Sequence, residues 1–332
     1  MIWGLIGAST IAAEHMIAAF RNQPDGQIRW VVSSNDGYAK AFAGKHNIPF
    51  STADLDTSLA DKAVNAVYIS STNEKHLPQA LAAIAAGKHV LCEKPLAMNL
   101  ADAVHMVAAA KAKGVVLATN HHLRNAGSHI AIRDLVSSGK IGHVLSMRVH
   151  HAVHLPPHLQ GWRINDASAG GGVIPDITVH DADTVRFHLG EDPIEVTAIA
   201  TSSGMGEGVE DSVMSVWAMP SGTQIFSHDS FTHAFAGSGL EIHGTEGSIF
   251  ARNVMTQAPI GEIELVTKTG REIINYSTHS LYGESVRRFV AAVEGKGTVS
   301  ASGEDGIKSL AIALAVREAA QNGNRTIVRY GA

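Results

Sequence analysis

The stretch His89-Val90-Leu91-Cys92-Glu93-Lys94-Pro95-Leu96 decides how the first part of the chain folds. Its apolar residues Val90 to Cys92 predict a short buried strand, and Pro95 ends that strand because proline cannot donate a hydrogen bond to a neighbouring strand. Glu93 and Lys94 therefore lie at the carboxyl end of the strand. In an open parallel sheet, ligands bind just beyond the carboxyl ends of the strands. Glu93 and Lys94 are candidate site residues if the strand belongs to such a sheet, and an ordinary surface ion pair if it does not.

Strands and helices alternate on both sides of this stretch. Short apolar runs predict the strands, and alanine-rich segments with spaced apolar positions predict the helices between them. This alternation is typical of a doubly wound parallel sheet, so the sequence predicts an α/β domain of the Rossmann type over residues 1–121. The predicted strands are 2–6, 28–32, 66–71, 90–92 and 115–119.

Polar residues follow every one of these predicted strands. Because the carboxyl ends of parallel strands meet at one edge of the sheet, we expect those residues to converge. They are Ser9, Ser33, residues 71–76, Glu93 with Lys94, and Asn120. This convergence predicts a nucleotide-binding edge.

The turn from Gly7 to Ala12 fits the dinucleotide-binding fingerprint loosely. Gly7 permits a tight turn, Ser9 occupies the position of close approach, and Ala12 is a small residue where helix meets strand. The amides at the start of the following helix can hold a pyrophosphate, because a helix N-terminus carries partial positive charge. An ordinary strand-to-helix turn is the alternative interpretation of this segment.

The end of the second predicted strand bears on the choice of cofactor. NAD enzymes place an acidic side chain there to bind the ribose 2′-hydroxyl, whereas this chain has Ser33 and Ser34. Serine hydroxyls accept a 2′-phosphate without repelling it. Lys40 is the nearest cation and Asp36 opposes it. The sequence therefore predicts NADP(H) as the cofactor.

A second domain is predicted over residues 122–332. Its strands follow one another through tight polar turns, which favours a mostly antiparallel, open sheet in an α+β domain. The predicted strands are 144–153, 194–201, 211–219, 223–231, 240–243, 248–251, 263–266 and 272–275. Helices at 281–294 and 305–321 close the chain, and the apolar stripe of the last is suited to packing back onto a domain.

One segment of the second domain carries candidate catalytic residues. Pro175 and the apolar positions that follow it predict a helix in which Asp176 and His180 lie one turn apart on one side. A carboxylate near an imidazole favours its protonated form, so the pair suits proton transfer near neutral pH. The chain has 19 histidines, and any single one is more often an ordinary packed or exposed side chain.

Composition narrows the class of protein. The chain has 332 residues, a net charge of −5 and one cysteine, Cys92, within the central strand. This balance favours neither nucleic acid nor an anionic membrane as a partner, and a lone cysteine suits a reducing compartment. Because the N-terminus enters a strand directly and no apolar run is long enough to span a bilayer, we expect a cytoplasmic protein. Whether it is a monomer or a homo-oligomer stays open.

Several motifs resemble the Gfo/Idh/MocA oxidoreductases. They are Glu93-Lys94-Pro95, the spacing from Asp176 to His180, and the segments 4–12, 89–98, 119–126, 155–163 and 176–184. The resemblance covers essentially the whole chain. It implies NADPH-dependent reduction of a sugar ketone, such as 1,5-anhydro-D-fructose to 1,5-anhydro-D-mannitol, with a small sugar as the substrate and with no metal.

The resemblance also implies roles for individual residues. Lys94 is expected to polarise the carbonyl oxygen, His180 to supply the proton, and Asp176 to orient the substrate and the imidazole. Arg163 would reach the pyrophosphate, and Trp162 would lie near the nicotinamide. The expected cofactor contacts are Ser9, Thr10, Ile11, Ala12, Ser33, Ser34, Tyr38, Ser71, Thr72, Asn73, Glu74, His76, Glu93, Lys94, Asn120, Trp162, Arg163 and Tyr282.

The adenosine side departs from the family pattern at Tyr38. Reductases of this kind place an arginine on the 2′-phosphate, and Tyr38 occupies that position here. A tyrosine can stack on adenine or donate one hydrogen bond but cannot neutralise the phosphate. The cofactor preference is therefore expected to be looser than in related reductases.

Three alternatives stay open at this point. The first is a dehydrogenase or reductase of another sugar or polyol, since the family changes substrate through a few side chains. The second is a metal hydrolase in which Asp176, His180 and the histidines of 150–158 bind zinc, although their spacing matches no compact ligand signature. The third is a nucleotide-binding regulator without catalysis, which the presence of Lys94 and His180 disfavours.

Overall fold

The first part of the chain alternates strands and helices. In the computed structural model, which describes residues 1–202 and 204–331, a π-helical segment, Ala12–Met16, leads into the first helix, and a 3₁₀ turn, Asn73–Lys75, leads into the fourth. The elements are β1 (Ile2–Ile6), α1 (Ile17–Arg21), β2 (Gln27–Val32), α2 (Asp36–His46), β3 (Phe50–Thr52), α3 (Leu55–Ala60), β4 (Ala66–Ile69), α4 (His76–Ala85), β5 (His89–Cys92), α5 (Leu100–Lys113) and β6 (Leu117–Thr119).

These strands form one parallel sheet. In the described residues it has six strands in the order β3-β2-β1-β4-β5-β6, and every pair is parallel. The strand order reverses between β1 and β4, which makes that position the switch point of a doubly wound sheet. The predicted Rossmann-type fold is therefore confirmed. β3 was not predicted, because a three-residue strand with one apolar residue, Phe50, gives too short a pattern.

Two asparagines begin the helices that follow β2 and β5. The Asn35 side chain accepts a hydrogen bond from the Tyr38 amide at 2.8 Å, and Asn99 accepts one from the Asp102 amide at 2.9 Å. Each satisfies an amide that the helix itself leaves unpaired. These caps fix where the chain turns from the sheet edge into the helix.

The remainder of the chain contributes a second sheet and several more helices. Two 3₁₀ segments, His122–Asn125 and Pro157–Leu159, and a π-helical segment, Ile174–Thr178, precede helices or connect strands. The elements are α6 (Gly127–Ser137), β7 (Val144–Ala152), α7 (Trp162–Asn165), α8 (Val179–Leu189), β8 (Glu195–Thr201), β9 (Ser212–Ala218), β10 (Gln224–Ser230), β11 (Ser238–Gly244), β12 (Gly247–Arg252), β13 (Glu262–Thr267), β14 (Gly270–Ile273), α9 (Leu281–Val293), α10 (Gly303–Asn322) and β15 (Thr326–Ile327).

The second sheet is mostly antiparallel, as predicted. Among the described residues it has nine strands in the order β14-β13-β12-β11-β7-β10-β9-β8-β15, and β7 with β10 is its parallel pair. Burial alternates along its central strands, so one face is buried and the other is exposed. In β7, Met147 and Val149 point to the buried face, whereas Arg148 points outward.

The chain divides into two compact units. Unit 1 contains residues 1–121 and 282–307, and unit 2 contains residues 122–281 and those from Lys308 on. In the core of unit 1 the fully buried ring of Trp3 contacts Phe20 at 4.3 Å and Phe289 of α9 at 5.2 Å between centroids. Most of α9 therefore belongs to the core of the first sheet, although it lies far along the chain.

α10 is 20 residues long and carries several charged side chains, among them Lys308 and Arg317. Within the described residues, no helix combines the length and apolarity that crossing a bilayer requires.

A buried histidine pair joins α6 to α8 in unit 2. His129 Nδ1 lies 3.0 Å from His188 Nε2, and His129 Nε2 lies 3.1 Å from the Val254 carbonyl. Because a carbonyl only accepts, His129 donates from Nε2 and must accept at Nδ1 from His188. Burial lowers the pKa of His129 to about 4 and that of His188 well below its usual range. Both rings are therefore neutral at pH 7.

This pair predicts a loss of stability in acid. Both pKa values are lower in the folded state than the ordinary 6.5, so the stabilisation is present above pH 6.5 and is lost as the pH falls toward 4. For His129 the shift corresponds to roughly 3 kcal/mol of unfolding free energy. The urea midpoint of the wild-type protein should fall between pH 7 and pH 5 more steeply than that of His129→Gln. His105→Gln, an exposed histidine on α5, is the matched control. Equal slopes in all three proteins would contradict the assignment.

Candidate functional site

The loop after β1 lies directly against the end of β4. Gly7 has a φ of +110°, and a Cβ added there would lie 2.7 Å from backbone atoms of Ser70 and Ser71. The Ser9 hydroxyl donates to Ser70 Oγ at 2.7 Å and accepts from the Ala12 amide at 3.2 Å. Glycine is therefore required at residue 7, and Ser9 both caps the helix and ties the loop to the switch point.

Glu93 is held by side chains from neighbouring strand ends. Tyr68 donates its hydroxyl to Glu93 Oε1 at 2.6 Å, and Asn120 donates its amide to the same oxygen at 2.7 Å. Ser285 of α9 donates to Asn120 Oδ1 at 2.9 Å, so the amide is fixed in its orientation. The structure thus brings together Glu93 and Asn120, which were both predicted as site residues.

The surroundings of Glu93 act on its pKa in opposite directions. Burial raises the pKa of the carboxyl, while the bonds from Tyr68 and Asn120 and the charge of Lys94 lower it. Sequence reasoning missed Tyr68 and Ser285. The sequence does contain a signal for Tyr68, because a tyrosine within a buried strand needs a hydrogen-bond partner for its hydroxyl. Ser285 had none, since it is 165 residues from Asn120.

Lys94 follows Glu93 and is half-buried, and the Lys94–Pro95 peptide bond is cis. Behind it lies His76, whose side chain is fully buried. His76 Nδ1 is 2.9 Å from the Pro95 carbonyl and Nε2 is 3.2 Å from the Ser71 carbonyl. Burial lowers the pKa of this imidazole. The ring therefore bridges the ends of β4 and β5, and both of its nitrogens face the backbone.

The remaining residues after β4 and on α9 also make local contacts. Ser71 Oγ donates to Gln79 at 2.6 Å, and Thr72 Oγ1 donates to Glu74 at 2.7 Å. The Tyr282 ring is buried and stacks on His15 at 4.6 Å between centroids. Among the predicted cofactor residues of this region, Asn73 is buried, Glu74 is exposed, Thr10 is exposed and Ile11 is half-buried.

The end of β2 carries the predicted adenosine contacts. Ser33 is half-buried and Ser34 is exposed. The Tyr38 side chain is 53% exposed and donates its hydroxyl to the Ala8 carbonyl at 3.2 Å. Tyr38 therefore links α2 to the loop after β1.

Unit 1 fits the nicotinamide dinucleotide that the sequence predicts. The backbone at Gly7 leaves no room for a side chain, which is the close approach that a pyrophosphate requires of such a loop. The helical run that follows begins at Thr10, so its first amides lie next to this loop. The hydroxyls of Ser33 and Ser34 lie at the next strand end, where a ribose is bound in this fold.

Asp176 and His180 lie in one helical run of unit 2, as predicted. The π-helical segment Ile174–Thr178 passes directly into α8, so the two residues are four positions apart on a continuous helix. Arg163 Nε lies 3.5 Å from Asp176 Oδ1, and the same guanidinium lies over the Trp162 ring at 4.7 Å. Arg163 and Trp162 therefore belong to the surroundings of Asp176 within this unit.

His180 is nearly buried, with 8% of the residue exposed. Its ring lies 4.9 Å from that of His122, edge to face. One turn further along α8, Arg124 donates two hydrogen bonds to Asp183, at 2.6 and 2.7 Å. This buried, bidentate pair ties the segment His122–Asn125 to α8 and so fixes His122 beside His180.

Within residues 1–202 and 204–331, no group of three or more histidine, cysteine, aspartate or glutamate side chains is arranged to hold a metal ion.

The sequence matches two family models. Residues 1–121 match an oxidoreductase family, GFO_IDH_MocA, described by its NAD-binding Rossmann fold. Residues 129–250 match the GFO/IDH/MocA C-terminal domain.

Individual relatives match over nearly the full length. The chain is 52% identical over 330 residues to 1,5-anhydro-D-fructose reductase of Ensifer adhaerens, covering 99% of both proteins. It is 29% identical over 335 residues to inositol 2-dehydrogenase of Rhizobium meliloti (strain 1021), covering 96% of this chain and 97% of the relative. The crystal structure of aldose-aldose oxidoreductase from Caulobacter crescentus matches with a TM-score of 0.90 and 23% identity, covering 98% of this chain and 99% of that one. At that identity the structural likeness establishes the fold alone.

The Glu93 network predicts the effect of Tyr68→Phe. Removing a buried hydroxyl that donates to a carboxylate should lower the unfolding free energy by roughly 1 to 3 kcal/mol and should weaken NADPH binding. Urea unfolding and a fluorescence titration with NADPH measure the two effects. Tyr276→Phe is the matched control, since its exposed hydroxyl donates to the Gly261 carbonyl. Equal effects of the two substitutions would contradict the importance of the Tyr68 bond.

Proposed function

The chain belongs to the Gfo/Idh/MocA oxidoreductase family, and from this premise we propose that it reduces the ketone of 1,5-anhydro-D-fructose to an alcohol with NADPH. The observation that carries the proposal is 52% identity to a reductase of that sugar over 99% of both proteins. Such a reduction needs a positive charge near the carbonyl oxygen and a proton donor. Lys94, at the end of β5, supplies an ammonium, and His180 supplies a nearly buried imidazole.

Unit 1 holds the dinucleotide in this proposal. The cofactor supplies a hydride to the carbonyl carbon when it is bound. Hydroxyls and amides at the strand ends bind its phosphates and riboses, and Tyr282 and Asn120 border the same edge. The residues proposed to contact it are Ser9, Thr10, Ile11, Ala12, Ser33, Ser34, Tyr38, Ser71, Thr72, Asn73, Glu74, His76, Glu93, Lys94, Asn120, Trp162, Arg163 and Tyr282.

Lys94 is proposed to stabilise the charge that develops on the carbonyl oxygen. Negative charge grows on that oxygen as the carbon is reduced, and a fixed ammonium lowers the free energy of the transition state. The backbone of Lys94 lies between two anchored neighbours. Glu93 is fixed by Tyr68 and Asn120, and Pro95 is fixed by His76.

His180 is proposed to supply the proton that completes the alcohol. An imidazole titrates near neutrality, so it can hold a proton at pH 7 and release it to an alkoxide. Asp176 lies one turn before it and is proposed to orient both the substrate and the imidazole. The Arg163 guanidinium, 3.5 Å from Asp176 Oδ1, supports this role by pairing with the carboxylate.

Substitution of the two groups tests this mechanism. Lys94→Ala and His180→Ala are each expected to lower turnover by about 10²-fold or more, because general acids and electrostatic groups contribute that much. The assay is the initial rate of NADPH oxidation at 340 nm with 1,5-anhydro-D-fructose. Lys62→Ala and His105→Ala, at exposed positions, are the controls. Wild-type rates in either active-site variant, with NADPH binding intact, would refute the assigned roles.

The preference for NADPH over NADH is proposed from the end of β2. Ser33 and Ser34 leave the 2′-phosphate unopposed, whereas an acidic side chain there would repel it. Tyr38, whose hydroxyl donates to the Ala8 carbonyl, carries no charge. NADPH is therefore the preferred cofactor in this proposal, and NADH is also used.

Tyr38→Arg should sharpen this preference. A guanidinium at this position can pair with the 2′-phosphate, so the KM for NADPH should fall about tenfold while that for NADH changes little. Steady-state kinetics with both cofactors measure the ratio. Tyr38→Phe, which loses only the hydroxyl bond to Ala8, is the control. An equal change in KM for both cofactors would show that the 2′-phosphate does not bind beside residue 38.

A second candidate substrate is a different sugar or a polyol. The similarity to inositol 2-dehydrogenase over 96% of this chain favours it, because a change of a few side chains on one fold can change the substrate that is bound. Parallel assays of 1,5-anhydro-D-fructose reduction and of inositol oxidation decide between them.

A further inference from the structure

Three titratable side chains of unit 2 lie behind His180 and have no role in the mechanism above. They are His151 on β7, Asp181 on α8 and Asp229 on β10. Asp181 and Asp229 are fully buried, whereas the His151 side chain is 15% exposed. The three therefore connect the interior of the second sheet to solvent.

The Asp181 and Asp229 carboxyl groups interact with each other on the buried face of the second sheet. Burial raises the pKa of Asp181 to about 7 and, with the charge of Asp181, raises the pKa of Asp229 well above its usual range. The two carboxyl groups also share polar neighbours, since Thr178 donates to Asp229 and the Ser227 hydroxyl lies 3.1 Å from Asp229 and 3.4 Å from Asp181.

Asp181 in turn orients His151. Its Oδ1 lies 3.3 Å from His151 Nδ1, so the imidazole donates from Nδ1 and exchanges protons at Nε2. A carboxylate in this position favours the protonated imidazole. The rings of His151 and His180 have centroids 6.3 Å apart and planes inclined at 48°. That separation is within reach of one bridging water.

We propose that His151, held by the Asp181–Asp229 pair, returns a proton to His180 after each reduction. This inference rests on the proposed function, in which His180 protonates the alkoxide. His180 then becomes neutral and takes a proton from the His151 imidazolium. His151 regains that proton from solvent through its exposed edge. One proton thus enters from water for each alcohol formed.

Other charged and titratable groups surround this relay. His122 faces His180 from the preceding 3₁₀ segment, and His129 on α6 interacts electrostatically with His151. Asp183 on α8 is paired with Arg124. His150 is the neighbour of His151 on β7, but it lies on the opposite face of the strand because successive side chains alternate.

The test compares His151→Gln, His151→Ala and Asp181→Asn with His150→Gln in the full chain. Turnover of 1,5-anhydro-D-fructose with NADPH should fall about tenfold or more in the first three, while the KM values for sugar and NADPH change little. His150→Gln, the same substitution on the outer face, should match the wild type. Added imidazole should restore turnover in His151→Ala, which a purely structural role for His151 would not allow.

The pH profile supplies a second measurement. Asp181→Asn removes the charge that faces the His151 Nδ1–H, so the alkaline limb of kcat against pH should move to lower pH in this variant. Wild-type kcat and pH profile in the three variants, or loss of turnover in His151→Ala without rescue by imidazole, would overturn the relay and leave the proposed function standing. A wild-type enzyme inactive on 1,5-anhydro-D-fructose and on other keto-sugars would overturn both.

Discussion

The structure of unit 1 depends on satisfying the carboxyl group of Glu93 at the end of β5. A carboxylate withdrawn from water costs free energy unless hydrogen-bond donors replace the lost solvent. Tyr68 and Asn120 supply those donors from the neighbouring strands on either side, and Ser285 fixes the amide of Asn120. The strand ends and α9 are thus joined by one polar network. Lys94 follows this anchored residue directly, so the network also holds the backbone of Lys94 in place.

Buried polar groups also need partners in unit 2, on the inner face of the second sheet. Buried acids and imidazoles lie there among apolar side chains, and each is paired with another polar group. Asp181 pairs with Asp229 and His151, and Arg124 pairs with Asp183. In low-dielectric surroundings such pairs are costly to break, so they specify one arrangement of α8. His180 lies on that helix and is positioned by it.

Much of the fold could be predicted because apolar periodicity is a local property. The strands of the parallel sheet follow from short apolar runs, and the second sheet follows from polar turns between alternating segments. Glu93, Asn120 and the one-turn spacing of Asp176 and His180 could be selected for the same reason. β3 was not predicted, because a three-residue strand with a single apolar side chain shows no periodic pattern.

What the sequence determined by itself was the order of strands and helices and the placing of polar residues at strand ends, since both arise from neighbouring residues. Only the tertiary structure decided which side chains meet. Tyr68 and Ser285 reach the Glu93 network, and Asp229 reaches Asp181, through contacts between residues far apart in the chain. Such contacts depend on how buried polar groups find partners in three dimensions, and no local pattern of residue types records that.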